Sequence, residues 1–183
     1  MSVTPELDAG FRAAALAAGL VDVRYDVVAS PLGDLMVAAT DRGLCRVSYY
    51  EDGFDEALAR VFGSRVLRSP LDPVRRELDE YFDGRRHAFD LALDLRVAPF
   101  HEAVLRELAR VPYGRTETYG GLAAKVGRPQ AARAVGTVMN RNPIPIVLPC
   151  HRIVGANGAL TGYAGGLDRK RALLALEGAT LSP

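Results

Sequence analysis

The feature that most restricts how this 183-residue chain can fold is a change of hydrophobic period at Val97-Ala98-Pro99. Before it, β-prone residues come in short runs, Arg24–Ala29, Asp34–Thr40 and Leu44–Tyr50, separated by Ser30-Pro31-Leu32-Gly33 and Asp41-Arg42-Gly43. Glycine and proline supply the backbone angles of a tight reversal, so the pattern predicts an antiparallel meander. Phe89–Val97 alternates again and predicts another strand, while Phe54–Phe62 and Asp72–Phe82 have helical spacing. In the second of these helices Asp72 is the expected cap, Pro73 the first helical residue and Gly84 the stop. After Pro99 the spacing is helical throughout: Pro99–Arg110, Tyr119–Val126, Pro129–Asn140 and Asp168–Glu177. The chain therefore reads as α+β, with a helical extension over residues 1–22, an α/β unit over 23–97 and a mainly helical unit over 98–183.

Composition is that of an ordinary globular protein, 49% apolar and 25% charged. The longest apolar run, Ala13 to Val21, is too short to span a bilayer and follows Glu6 and Asp8 rather than a basic segment, so a cytoplasmic protein with no membrane association is expected. The net charge of +1 hides an asymmetry: residues 1–112 carry −5 and residues 113–183 carry +6. Only the second part favours a polyanion. The two cysteines, Cys45 and Cys150, lie in no metal-ligand or disulfide pattern, so neither a metal nor a disulfide is expected.

In the basic part, Thr118 can cap Tyr119–Val126, Gly127 supplies a break and Pro129 can open the next helix, which makes a helix-turn-helix candidate. Ala131, Ala134, Val135 and Val138 share one stripe and are expected to pack inward. Ala132 and Gly136 are small enough to let a backbone approach DNA closely, and Arg133 projects near the helix start, where an arginine is as readily a plain solvated charge. Asn142 precedes Pro143, which stops the helix near Arg141. Pro143, Pro145 and Pro149 then stiffen a short connection that delivers Cys150, followed at once by His151 and Arg152. Cysteine attacks as a thiolate, and an adjacent imidazole or guanidinium lowers the cost of that charge. A nucleophile held behind a DNA-reading helix can meet a base only if the base leaves the stack. Cys45 alternates with Val47 and Tyr49 on one strand face and reads as a buried structural thiol, and His87 and His101 read as surface residues. Asn157-Gly158 predicts a tight turn that folds the Cys150 segment back as a small hairpin, and Gly162–Gly166 a flexible lid.

The segment Pro149-Cys150-His151-Arg152, preceded by Asn142-Pro143-Ile144-Pro145 and Ala132-Arg133-Ala134-Val135-Gly136, resembles the O6-alkylguanine-DNA alkyltransferases, also called methylated-DNA–protein-cysteine methyltransferases. The likeness is strong from Pro99 to Gly178, looser before that, and does not reach residues 1–20. It implies a ribonuclease-H-like N-terminal unit and a C-terminal unit with a winged helix-turn-helix. It also implies a monomer that binds double-stranded DNA through the minor groove and moves the alkyl group of O6-alkylguanine irreversibly onto its own cysteine, with O4-alkylthymine a further candidate substrate and no cofactor. By the resemblance Cys150 accepts the alkyl group, His151 acts through a bridging water as its base, Glu177 holds the other imidazole nitrogen and Asn142 braces the turn. Tyr119 helps extrude the nucleotide and protonates the departing guanine, and Arg133 fills the gap in the duplex. Pro145, Ile153 and Tyr163 line the base pocket with Lys170 near its rim. Ala164 stands where some members have a serine that could bond O6, which leaves a backbone amide as donor, and the chain lacks the cysteine and histidine set that gives some members a structural zinc.

Taken residue by residue, Tyr119 could equally be a packing residue and Glu177 a solvated one; yet a carboxylate at a helix C-terminus is disfavoured by the dipole, which points to a second task for Glu177. Two other functions fit parts of the pattern. A non-catalytic lesion-recognition protein of the alkyltransferase-like type would lack the reactive cysteine that is present here. A cysteine hydrolase using Cys150 and His151 would need an oxyanion hole, for which a helix-turn-helix gives no reason. A transcriptional role for the same helices stays open.

Overall fold

The computed structural model describes residues 4–49 and 53–179; the end of the third expected strand, Tyr50, lies outside them. Helix α1 (Pro5–Ala17) is capped by the Thr4 hydroxyl and leaves Leu7 and Phe11 about two-thirds exposed, at 66% and 68%, so it adds little to the core. The meander follows as β1 (Val23–Val28), β2 (Leu35–Thr40) and β3 (Gly43–Tyr49). Helix α2 (Phe54–Phe62) then leads to β4 (Val66–Arg68), a three-residue strand too short to show a period, which pairs parallel with β1. The sheet order is β3-β2-β1-β4. None of the described helices is long and apolar enough to cross a membrane.

Three local expectations for this first unit are corrected. Ala38 faces Arg46 while Ala39 faces Leu44, so Cys45 is the extra residue of a β-bulge. The bulge breaks the alternation: Cys45 packs with Met36, Phe54 and Leu58 on one side of the sheet, while Val47 joins the main core on the other. Residues 89–97 are extended but form no strand, only a single bridge between Leu93 and Leu44. Pairing ends there because Asp94 turns inward, buried, to accept from the Thr40 hydroxyl at 2.9 Å and to meet Arg96 at 3.3 Å. In α3 (Asp72–Phe82) the cap position belongs to Leu71; Asp72 lies in the first turn, where the helix dipole favours its charge.

Beyond Pro99 come α4 (Pro99–Leu108), the short strand β5 (Glu117–Thr118), α5 (Tyr119–Lys125) and α6 (Ala132–Asn140). Thr118 caps α5 by accepting from the Gly121 amide at 2.9 Å, and Gly127 ends the segment with φ +71°. Pro129 does not open α6. It occupies a reverse turn closed by the Ala131 amide on the Arg128 carbonyl at 2.8 Å, the position at which its fixed φ is most useful, and the helix starts at Ala132. Within α6 it is Val135, Val138 and Met139 that are buried; Ala134, expected inside, is exposed. The Asn157-Gly158 turn forms, but its second arm is no strand; β6 (Ile153–Val154) pairs instead with β5, in parallel. Helix α7 (Leu167–Leu176) closes the chain.

The two units share one core. Leu35, Leu78 and Tyr81 from the first and Leu105, Ile144 and Leu173 from the second are all buried in a single apolar cluster. Burial of each such aliphatic side chain contributes about 1.5–3 kcal/mol, so the units hold each other in a fixed relation. Val47 of β3 also donates its amide to the Pro143 carbonyl at 2.9 Å, fastening the sheet to the connection behind α6.

Candidate functional site

That connection is braced by one side chain. Asn142 donates to the Leu148 carbonyl at 2.8 Å and accepts from the Ile144 amide at 3.0 Å, closing the proline-rich loop on itself. Ile146 within the loop is buried with φ +75°, a left-handed conformation that costs a β-branched residue about 1–2 kcal/mol. The Asn142 bonds and the surrounding core impose it. The loop ends in a single turn of 3-10 helix, Cys150–Arg152, whose three side chains are all buried.

For Cys150, burial favours the protonated thiol. Burial pushes the Cys150 pKa up to about 11, and the Asn142 carboxamide and the Lys170 cation only partly oppose it. The expected help from the guanidinium is missing because Arg152 is engaged elsewhere: its Nε and Nη2 reach the two oxygens of Glu177 at 2.8 and 2.9 Å, and its Nη1 donates to the Val111 carbonyl at 2.6 Å.

Glu177, just past the end of α7, collects donors from both units. His151 Nε2 lies 2.8 Å from its Oε1, the Tyr81 hydroxyl from α3 donates to the same oxygen at 2.7 Å, and the Gly114 amide reaches Oε2 at 3.2 Å. Burial by itself would raise the carboxyl pKa, but the hydrogen bonds from His151 and Arg152 outweigh it and hold it at about 2. A permanent carboxylate fixes the proton of neutral His151 on Nε2. Burial keeps the imidazole neutral, its pKa below the ordinary value, and the other nitrogen, Nδ1, has no protein hydrogen-bond partner. The result is a buried base with its lone pair uncommitted, in the residue next to a buried thiol.

A cleft of about 310 Å³ opens onto Cys150. Of the residues expected to line it, Pro145, Tyr163 and Ala164 do, with Asn142 and Met139 beside them. Ile153 and Lys170 do not. Ile153 is wholly buried in the core. Lys170 is also fully buried rather than at a rim, because its ammonium donates to the carbonyls of Ile153 at 2.5 Å, Thr161 at 2.7 Å and Gly162 at 3.5 Å. These three acceptors match its three protons and staple the Cys150 segment to the glycine-rich one. Burial lowers its pKa to about 8.

Tyr119 lies outside the cleft lining; its hydroxyl donates to the Thr161 carbonyl at 3.3 Å, next to the glycine-rich segment. Its ring stands over Gly136, with 3.9 Å left to a β-carbon built there. Arg133 is exposed at the start of α6, and Ala132 is half-buried beside it. Among the described residues no three His, Cys, Asp or Glu side chains gather as a metal site would require. Sequence reasoning missed Arg152 as the partner of Glu177, and it missed Tyr81 and Tyr49, which reach the site from the other unit.

Comparison with known proteins covers nearly the whole chain. Residues 99–179 match the family model of the 6-O-methylguanine DNA methyltransferase DNA binding domain, and residues 23–95 that of its ribonuclease-like domain. A methylated-DNA–protein-cysteine methyltransferase of Mycolicibacterium paratuberculosis is 44% identical over 155 residues, 85% of this chain and 92% of the relative. One of Methanosarcina barkeri is 38% identical over 162 residues, 84% and 96% of the two chains. Among solved structures, the O6-methylguanine methyltransferase of Mycobacterium tuberculosis superposes with a TM-score of 0.75 at 39% identity, covering 88% of this chain and 95% of that one. The same organism's OGT in complex with DNA gives 0.76 at 39% identity, covering 85% and 92%.

Proposed function

The chain belongs to the methylated-DNA–protein-cysteine methyltransferase family, and from that premise we infer a repair protein that takes the alkyl group from O6-alkylguanine in duplex DNA onto its own Cys150. The observation that carries the assignment to Cys150 is the pairing of a cleft-lining thiol with an imidazole whose Nδ1 is uncommitted and whose Nε2 is locked on a carboxylate.

A thiol with a raised pKa cannot attack from a standing thiolate population; its proton must leave as the bond forms. The Cys150 proton passes through a water to His151 Nδ1, and the imidazolium formed is stabilised by Glu177. The sulfur attacks the alkyl carbon in line, the bond from that carbon to O6 breaks, and the departing guanine takes a proton from the Tyr119 hydroxyl at the edge of the glycine-rich segment. That hydroxyl regains a proton from solvent as His151 returns its own. The product is a thioether, which water does not cleave, so each molecule acts once. Arg133 and the close-packed Ala132 and Gly136 face the duplex, with Arg133 filling the space of the extruded nucleotide. Tyr119, perched on Gly136, helps the nucleotide out. Asn142 keeps the turn rigid, and Lys170 and Ile153 act from beneath by fixing the segment that carries the thiol. The chain acts as a monomer, in three parts (residues 1–22, 23–97 and 98–183), and in the cytoplasm, a reducing compartment that keeps the acceptor thiol free.

Incubation with a duplex carrying one O6-methylguanine and peptide mapping by mass spectrometry tests the assignment. One methyl per protein molecule on Cys150 is expected, with the same yield in Cys45→Ser and none in Cys150→Ser. Methyl on Cys45, or turnover beyond one equivalent, overturns it.

A further inference from the structure

One side of the thiol cleft comes from the N-terminal unit: Arg46 to Tyr49 of β3 line it together with the loop after α6 and the glycine-rich segment. Tyr49 is clamped there by three neighbours. Its hydroxyl shares a hydrogen bond with that of Tyr163 at 3.1 Å, and the Arg169 guanidinium lies over its ring, 3.9 Å from the centroid. Its ring edge lies against Gly165, where a β-carbon would collide with both tyrosine rings. Arg169 is itself fixed, donating to the Leu32 carbonyl and the Gly165 carbonyl at 3.1 Å each. Burial raises the pKa of both phenols, so neither hydroxyl carries a charge.

We propose that Tyr49 is a specificity-determining residue that limits the size of the alkyl group transferred, by standing as a fixed wall of the space in front of the Cys150 sulfur. The proposal rests on the reading of Cys150 as alkyl acceptor. At about 310 Å³ the cleft is at the low end of the roughly 300–1,000 Å³ usual for small-molecule pockets, and a purine ring takes up a large part of it. A bulky substituent on O6 then comes up against the lining. The Asn142–Pro145 side is closed by its own hydrogen bonds and cannot give way. The glycine-rich segment carrying Tyr163 and Gly165 would be free to swing outward, but the Tyr49 hydroxyl and Arg169 tie it to the sheet. A methyl group leaves this clamp undisturbed, whereas a benzyl group presses on the Tyr49 ring. Hydrophobic pockets discriminate substituents of different size by factors of about 10–200 in this way.

The test compares transfer rates of the full chain from two duplexes, one with O6-methylguanine and one with O6-benzylguanine, with the product mapped to Cys150. Tyr49→Ala is expected to raise the benzyl-to-methyl rate ratio on the order of tenfold. Tyr49→Phe gives up the hydroxyl tie but keeps the ring, its cation contact and the Arg169 link, so it should raise the ratio far less than the alanine variant. Tyr49→Leu, an intermediate truncation, should raise it about threefold and serves if the alanine variant does not fold. A ratio that stays flat in the alanine and leucine variants overturns the wall, as does an equal rise in the phenylalanine variant. A wild-type chain that gains no alkyl group on Cys150 from either duplex overturns the acceptor assignment and this proposal with it; alkylated Cys150 with a flat ratio overturns only the wall.

Discussion

Cys45 and Cys150 lie in the two units of the molecule and start from the same handicap. Both are buried, and burial pushes both pKa values up, to about 12 and about 11. Each also borders a hollow, of about 210 Å³ at Cys45 and about 310 Å³ at Cys150. The difference lies in what else faces the sulfur. The Cys45 thiol donates to the Ala38 carbonyl at 3.3 Å; around its hollow stand Arg46, Arg96 and Arg141, none of which can take a proton, and the nearby Asp94 carboxylate, engaged by Thr40 and Arg96, only raises the thiol pKa further. Cys150 has a carboxamide beside it and a neutral imidazole as its neighbour in sequence, held in one tautomer by Glu177. On the proposed mechanism, reactivity in this fold follows from an available base rather than from a standing thiolate.

The sharpest way to break that contrast is to discharge the carboxylate. Glu177→Gln keeps the shape but removes the charge that sets the His151 tautomer and stabilises its protonated form, so single-turnover transfer should slow by about a hundredfold. It also strands the Arg152 guanidinium, only 6% exposed, without a counter-charge. Breaking one side of a buried pair costs about 3–5 kcal/mol, which denaturant unfolding would register. A variant with normal stability and normal rate would mean that Glu177 neither orients the base nor pairs Arg152.

A second test is the pH dependence of transfer. Were a free thiolate the attacking species, a pKa of about 11 would make the rate rise about tenfold per pH unit between 7 and 9. With neutral His151 taking the proton, the rate should not rise over that range: it falls on the acid side, below the ordinary histidine value, as the imidazole protonates, and declines above about pH 8 as Lys170 loses the charge that staples the Cys150 segment. Stability should follow the same sense. His151 has a lowered folded pKa, so the unfolded chain takes up its proton first as the pH drops. Glu177, at about 2 when folded, loses its bonding contribution as pH falls from the ordinary carboxylate range toward that value. A transfer rate climbing steadily to pH 9 would rule out the imidazole as base.

Which parts of this site could be read from the chain depends on whether local structure alone brings the residues together. Asn142, Cys150 and His151 lie within ten positions, and the prolines between them dictate a rigid loop, so their grouping was visible, as were the Thr118 cap and the Gly127 break. Glu177 stood out because a carboxylate at a helix end calls for a partner. The remaining features depend on tertiary packing. The β-bulge that moves Cys45 to the far side of the sheet arises in strand pairing, and no alternation pattern encodes it. Lys170 looks like a surface charge until three carbonyls from two separate segments converge on it. Tyr49 and Tyr81 belong to the acidic unit with no motif around them, yet they meet Tyr163 and Glu177 across 114 and 96 residues of sequence.

Tyr81 offers the finest probe of how the two units cooperate, and the smallest expected effect. Its hydroxyl shares Glu177 Oε1 with His151 Nε2 and Arg152 Nη2, so Tyr81→Phe withdraws one of several donors without emptying the site. A hydrogen bond to a charged group is worth about 1.5–3 kcal/mol, but the carboxylate keeps the others, and transfer should slow only about three- to tenfold. A purely structural role would stop there. If the tyrosine tempers the carboxylate, its loss leaves Glu177 a stronger acceptor for His151 while Arg152, the Gly114 amide and Tyr113 nearby are unchanged. The imidazolium then becomes easier to form, and the acid limb of the pH profile moves upward. Measuring that limb in wild type and Tyr81→Phe separates the two roles: an unshifted limb with a slower plateau would make Tyr81 packing, whereas an upward shift would show that the unit without the nucleophile tunes the base that activates it.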